Sequence, residues 1–335
     1  MDQKGLIMLS TTEGYNARKR RFESVERPSE LYSDYTVADN MIAKMELLGV
    51  EAMTIVDEDY PESLKNIYEP PYALFYQGDR SLFNSEDLLA VVGTRRVSAY
   101  GKNIMQNFAT AFVKSGLKII SGLARGVDSI GHKISLENNS PTVAIVANGL
   151  DICYPPENAD MQKQIATSGL LVSEYPLGAK PLQFHFPERN RIISALSQAV
   201  FIPEAGDKSG SLITADYAIE QGRELFVVPG SIFSSQSIGC NKKIKELQSI
   251  ITLSPDDVLE ALGRTRKKVV HEAIQLDFTA QAIVNILNDG ALHFDEILQK
   301  SNIATSELSS ILSQLEILGI IRKTQGNYFE IIPQL

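Results

Sequence analysis

From residue 88 onward, short continuous apolar runs alternate with stretches of helical period. The runs are LLAVVG, LKIISG, TVAIVANG, LLVSEYP, AVFIPEA and ELFVVPG, and the helices between them are expected to begin near Tyr100, Val127, Glu157, Arg189, Leu212 and Asn241. Strands that are apolar on both sides of the pleat must be covered on both faces. Alternation with helices supplies that cover and predicts an α/β fold, a doubly wound and mostly parallel sheet. In such a sheet the turn after every strand lies on one edge, and ligands bind in the crevice there. The turns in question are GTRRVSAYG, SGLARGVD, NGLDICYPPEN, SEYPLGAKP, EAGDKSGS and PGSIFSSQSIGCN, and they hold much of the region's Gly, Ser, Arg and Lys.

The flanks read differently. A length of 335 residues suggests more than one domain. Residues 1–37 show no clear pattern, and 38–87 predict a short helix, a strand and a Pro-rich extended segment beside the sheet. The sheet domain is expected over 88–262, followed by a charged linker at 263–275. Residues 276–335 then give three helical segments (Phe278–Asn288, Phe294–Lys300, Ser306–Leu318) and a two-stranded wing in IIRKTQGNYFEII, the pattern of a winged helix.

Composition changes this picture at two points. Only Cys153 and Cys240 are present, which excludes a disulfide framework and a four-thiolate zinc site. The N-terminal MDQKGLIMLSTTEGYNARKRRF has no long apolar stretch with a cleavage site, and no run approaches a membrane span, so a cytoplasmic protein is expected. The net charge of −9 argues against nucleic acid until its distribution is followed. Residues 88–245 carry 16 basic and 12 acidic side chains, a net of +4, between an acidic start (−8 over 1–87) and an acidic end (−4 over 276–335). The basic excess gathers on the ligand edge of the sheet.

What could that edge hold? A dinucleotide site wants G-x-G-x-x-G at the first turn, whereas Gly93 and Gly101 stand eight apart; GDKSGS is not a P-loop either. No nucleophile elbow and no H-E-x-x-H occur, the four histidines are scattered, and no ligand set for a metal or cofactor is found. Asp128 and Glu174 near the crevice make a weak acid–base pair, and His132 fits a packing role. Generic phosphate binding remains. Ser209, Gly210 and Ser211 open a helix, with Lys208 beside them; helix amides, glycine and hydroxyls suit an anion, although the same residues also suit a plain N-cap and turn. In FHFPERNRIISAL, Phe184 and Phe186 precede Arg189, Asn190 and Arg191. Basic groups track a phosphate backbone and rings stack on unpaired bases. The bland alternative puts both rings in the core and Arg191 in an ion pair with an acid such as Glu188.

The series VVGTRRVSAYG, SGLARGVD, NGLDICYPPEN, LVSEYPLG, FPERNRIISALS, EAGDKSGSLITADYAIEQGRELFVVPG and GCNKKI resembles the DNA-processing protein A (DprA, Smf) family over roughly residues 55–250. The C-terminal module is similar to the winged helix of many members. The resemblance implies an extended Rossmann-like fold that binds single-stranded DNA without catalysis, and a homodimer that loads RecA during natural transformation. It places DNA contacts on Arg95, Phe186, Arg189, Asn190, Arg191, Lys208, Ser209, Gly210, Ser211 and, in GCNKKI, Asn241. The rival class is a Rossmann-fold nucleotide-processing enzyme of the phosphoribohydrolase kind, which pairs a PGGxGT-type loop with a following catalytic Glu. Here Glu204 precedes the loop and the next acid after Asp207 is Asp216, within the helix. A winged-helix regulator would need a basic recognition helix, and Ser306–Leu318 has no Lys or Arg.

Overall fold

A computed structural model describes residues 36–265 and 276–331, apart from 289, 319 and 325. The chain divides into two compact units, the first ending at Lys267 and the second beginning at Lys268. No described helix is long and apolar enough to cross a membrane.

The first unit begins with α1 (Thr36–Leu48), β1 (Glu51–Thr54), α2 (Glu62–Lys65) and β2 (Ala73–Gly78). The alternation then runs β3 (Leu88–Val91), α3 (Ala99–Lys114), β4 (Lys118–Ser121), α4 (Val127–Glu137), β5 (Val143–Val146), α5 (Ala159–Ser168), β6 (Leu170–Ser173), α6 (His185–Leu196), β7 (Ala199–Ile202), α7 (Ser211–Glu220), β8 (Glu224–Val227), α8 (Ile238–Lys245), β9 (Ile250–Ile251) and α9 (Pro255–Ala261). All nine strands form one sheet in the order β1-β2-β6-β5-β4-β3-β7-β8-β9. From β6 to β9 every pairing is parallel, while β2 meets β6, and β1 meets β2, antiparallel.

The segment expected to lie beside the sheet therefore extends it. Phe75 and Tyr76 of β2 are buried and pair with Ser173 and Val172 of β6. Strand β9 and helix α9 were not anticipated, since two residues of strand leave almost no periodic trace. Helices α6 and α8 also start about one turn before the positions expected from periodicity.

Alternating strand residues feed opposite faces. Leu88 and Ala90 pack with Ile192, Ile193 and Leu196 of α6 and with Ala215 and Ala218 of α7. Leu89 and Val91 pack with Met105, Phe108 and Phe112 of α3 and with Val258 and Leu259 of α9. Phe201 stacks on Phe108 with centroids 5.4 Å apart and meets Phe112 edge-on at 5.2 Å. Each such ring contributes about 1.5–3 kcal/mol through burial.

Strand order reverses between β3 and β7, the point at which the two flanking loops part and open a crevice. Gly93 permits their close approach, because a Cβ there would lie 2.6 Å from Val127 Cγ2 and 2.9 Å from the Glu204 carbonyl. The second unit holds α10 (Phe278–Leu287), β10 (Leu292–His293), α11 (Phe294–Ser301), α12 (Thr305–Ile317), β11 (Ile321–Thr324) and β12 (Tyr328–Ile331). Its strands are ordered β10-β12-β11 over a core that includes Ile283, Leu312, Leu315 and Phe329, a winged-helix arrangement.

Candidate nucleic-acid interface

A groove of about 970 Å³ occupies the reversal point, lined by the loops after β3 and β7, the start of α6 and the start of α7. Of the expected residues, Arg95, Phe186, Arg189, Asn190, Lys208, Ser209, Gly210 and Ser211 all line it. Arg191 and Asn241 lie elsewhere.

One wall is the loop after β3. The Glu204 backbone carbonyl accepts from Thr94 N at 2.9 Å, and the Glu204 carboxylate accepts from Ser98 N at 2.9 Å and Ser98 Oγ at 2.5 Å. This clasp joins the ends of β3 and β7. Thr94 Oγ1 donates to Gln236 Oε1 at 3.1 Å and accepts from Arg96 N at 3.1 Å. Arg95 and Arg96 are left exposed at the rim. The Arg95 guanidinium lies 5.4 Å from the centre of the Phe186 ring, which in turn meets Tyr154 at 5.6 Å. Sequence reasoning missed Tyr154, although its turn, CYPPEN, is one of those on the ligand edge.

The opposite wall is the loop after β7. Ser209 Oγ and Ser211 Oγ share a hydrogen bond of 2.8 Å, and α7 starts at Ser211 with no side-chain cap. Lys208 is exposed. Among the described residues, Arg95, Arg96 and Lys208 form no ion pair, so three cations are available to an anion from solvent. Asn190 ties this wall to the floor, donating from Nδ2 to the Gly210 carbonyl at 3.3 Å and accepting from Arg189 Nε at 3.1 Å.

The floor differs from expectation. Arg189 is buried, and its Nη1 donates to the carbonyls of Gly122, at 2.9 Å, and Ile145. Burial lowers its pKa to about 10, with the Asp128 charge pulling the other way. The Asp128 carboxylate accepts from Gly122 N at 3.1 Å and Ala124 N at 3.3 Å, and burial raises its pKa despite Arg189 and those amides. Both side chains crowd Gly122: a Cβ there would lie 2.6 Å from Arg189 Nη2 and 2.8 Å from Asp128 Oδ2. Arg189 is thus a charged strut beneath the groove, committed to strand-end carbonyls.

Arg191 faces away. It is buried, and its Nη1 and Nη2 meet the Glu174 carboxylate at 2.8 and 2.7 Å. Burial pulls its pKa down, and the charge and hydrogen bonds of Glu174 more than reverse this. The expectation of a DNA contact is corrected here, because two residues apart on a helix point to opposite sides. Asn241 is corrected likewise: its amide closes on Gly230, accepting from N at 3.1 Å and donating to O at 3.0 Å.

His132 lies in the core of α4 and is fully buried. Thr142 Oγ1 donates to the Ile119 carbonyl at 2.6 Å, so the 2.8 Å contact to His132 requires Nδ1 to be the donor. Nε2 has no partner among the described residues, which fits a packing role. Burial, helped by the Arg189 charge, pushes the imidazole pKa down to about 3. The unfolded chain takes up this proton near pH 6.5, as an ordinary histidine does, while the folded chain does not. The contribution is therefore intact above about pH 6.5 and is lost as pH falls towards 3, at up to about 1.4 kcal/mol per unit. Moving from pH 7 to pH 5 is expected to cost about 2 kcal/mol in denaturant unfolding. His132→Asn, compared at both pH values, isolates this from Asp128, whose shift acts in the opposite sense. An unchanged pH difference in that variant would count against the assignment.

Comparison with known proteins agrees with this architecture. Residues 51–263 match the model of DNA recombination-mediator protein A, and residues 271–327 match the DprA winged helix domain. The chain is 38% identical to the DNA processing protein DprA of Bacillus subtilis over 234 residues, covering 70% of this chain and 78% of that protein. It is 34% identical to the protein Smf of Synechocystis over 316 residues, 83% of this chain and 79% of that one. The DNA processing protein A of Streptococcus pneumoniae superposes with a TM-score of 0.67 at 33% identity, covering 77% of this chain and 98% of that structure. The Helicobacter pylori DNA processing protein A, whose single-stranded DNA binding mode is known structurally, gives 0.58 at 31%, covering 64% and 95%. A match over more than half the chain, carried by the sheet whose strand reversal opens the groove, makes this chain a member of the DNA recombination-mediator protein A (DprA/Smf) family.

Proposed function

We propose that this chain binds single-stranded DNA along the groove without catalysing a reaction on it. The observation that carries this reading is the Arg95 guanidinium 5.4 Å over the Phe186 ring, across the groove from Lys208 and the Ser209–Ser211 loop. A cation for phosphate and a ring for a base, side by side, suit an unpaired strand, whose bases are free to stack. As a cytoplasmic homodimer the protein would protect incoming strands and load RecA during natural transformation. The nucleotide-processing alternative needs a carboxylate free to reach a ribosyl bond. Glu204 is 2% exposed and both its oxygens are taken by Ser98. Titrating single- and double-stranded DNA at several salt concentrations, beside an assay for nucleoside monophosphate cleavage, tests the two together. Tighter binding of the single strand and no cleavage is expected; cleavage would overturn the reading.

Self-association would use the free edge of the sheet. Among the described residues β9 ends the sheet beyond β8, and in and beside it Leu247 is 91% exposed, Leu253 67%, Ile251 51% and Ile250 41%. Unpaired edges of this kind invite a second chain, and this surface or one next to it would also meet RecA. Light scattering at micromolar concentration is expected to give a dimer, and Leu247→Glu with Leu253→Glu a monomer. Wild-type protein that remains monomeric would remove the dimer from the proposal. The acidic winged helix, by contrast, is assigned to protein contact, since phosphate neutralisation supplies most nonspecific affinity. Removing residues 264–335 is expected to leave most single-strand affinity in place.

A further inference from the structure

Beside the groove lies a second cavity of about 470 Å³ on the same edge of the sheet, between the start of α3 and the loop after β8. The two are lined by neighbouring residues of one loop: Gln236 lines the groove, while Ser234 and Ser237 line the second cavity. From this placement we infer that the second cavity is a subsite for a nucleobase further along the same strand, with Phe233 as its stacking platform. The inference rests on the single-strand reading above.

Three observations point to a base and not a phosphate. First, no Lys or Arg lines the cavity, and its one carboxylate, Glu204, is engaged by Ser98. A phosphate would meet a buried negative charge with no cation, whereas a neutral base meets serine hydroxyls that donate and accept. Second, a ring is fixed in the wall. Tyr100 is 48% exposed, and its hydroxyl donates to the Pro229 carbonyl at 2.7 Å, which holds the ring in place. Third, Phe233 is 92% exposed and its neighbour Ile232 80%, on a turn that is closed by its own hydrogen bonds. Phe233 N donates to Ser231 Oγ at 3.3 Å, Ser234 N to the Ser231 carbonyl at 3.0 Å and Ser237 N to the Ser234 carbonyl at 3.0 Å. A built turn therefore holds an aromatic ring in water, on the stretch of chain between Ser231 and Ser234, both of which line the cavity. Stacking with an unpaired base removes that ring from water and tolerates any sequence.

The chain contains no tryptophan, so Phe233→Trp introduces a single reporter. Titrating that variant with homopolymeric deoxythymidine strands of increasing length should quench its fluorescence only once the strand is long enough to pass the groove. Phe233→Ala should weaken binding of the long strands about tenfold and leave the short ones unchanged. Its log–log salt slope should match wild type, because no phosphate contact is lost. Strands carrying one abasic position, moved stepwise, should lose affinity for both proteins where the gap falls over Phe186, and at one further position should lose the same factor against wild type and nothing against Phe233→Ala. Wild-type binding with an indistinguishable Phe233→Ala variant at every length overturns this inference alone, and so does unquenched fluorescence. A Phe233→Ala variant that binds DNA normally but loses self-association overturns it in favour of a protein contact. Wild-type protein with no single-strand affinity overturns both this inference and the groove reading beneath it.

Discussion

Replacing Arg191 by alanine is expected to cost about 3–5 kcal/mol of stability in the first unit, because it strands the Glu174 carboxylate in a buried site. Arg191 is 5% exposed, and its guanidinium also donates from Nε to the Glu69 carbonyl at 3.0 Å and from Nη1 to the Glu188 carbonyl at 2.9 Å. Removing both charges, Arg191→Met with Glu174→Leu, should recover much of the loss, since a buried pair replaced by packed apolar groups is often neutral. Chemical denaturation of the three variants measures this. Binding carries the contrast: where folded, each should keep the wild-type salt slope. A stable Arg191→Ala variant with a shallower slope would return Arg191 to the DNA contacts.

For the groove, Arg95→Ala and Lys208→Ala are expected to weaken binding for every sequence and each to make the log–log salt slope shallower by about 0.7. The pair together should change it by about 1.4 if the two neutralise separate phosphates. Both side chains are exposed, so stability should move by about 0.5 kcal/mol or less. Phe186→Ala should behave differently. It removes a stacking face worth about 1–3 kcal/mol and the ring under Arg95, while leaving the phosphate count alone. Arg189→Ala should resemble Arg191→Ala, through the loss of its bonds to Gly122 and Ile145. Fluorescence anisotropy across a salt series, with melting curves alongside, separates these outcomes. An unchanged slope in both Arg95→Ala and Lys208→Ala would sink the proposed path of the strand.

How far all this was legible in the sequence depended on what each residue's neighbours could reveal. Runs such as LLAV and TVAIV identify themselves as strands because both faces must be buried, and the crevice follows from the order of the elements. Three-helix-and-wing periodicity was equally plain after residue 276. The antiparallel extension by β2, with β1 pairing on it, was harder, since it is set by a partner of β2 nearly a hundred residues away: Tyr76 pairs with Val172. The fates of Arg189 and Arg191 turned on where α6 begins. With the helix starting at Arg189, both residues sit in a first turn whose facing is open; with the start at His185, their separation forces one inward to the floor and the other towards Glu174. The sequence could suggest an acidic partner for Arg191 but not choose Glu174 over Glu188, because that choice is made by β6. Asn241 failed in the same way, its helix beginning one turn early at Ile238.

The reversal of strand order has a consequence for how the protein comes off the ribosome. Strand β3 is complete by Val91, but its outer partner, β7, begins only at Ala199. Until then the nascent chain carries β1 through β6 with one flank of β3 uncovered, a sticky intermediate of the sort that chaperones shield. The Glu204 clasp and the Ser209–Ser211 loop come later still. A prematurely terminated chain therefore presents half a crevice and no second wall, so truncated products should not compete with finished molecules for DNA.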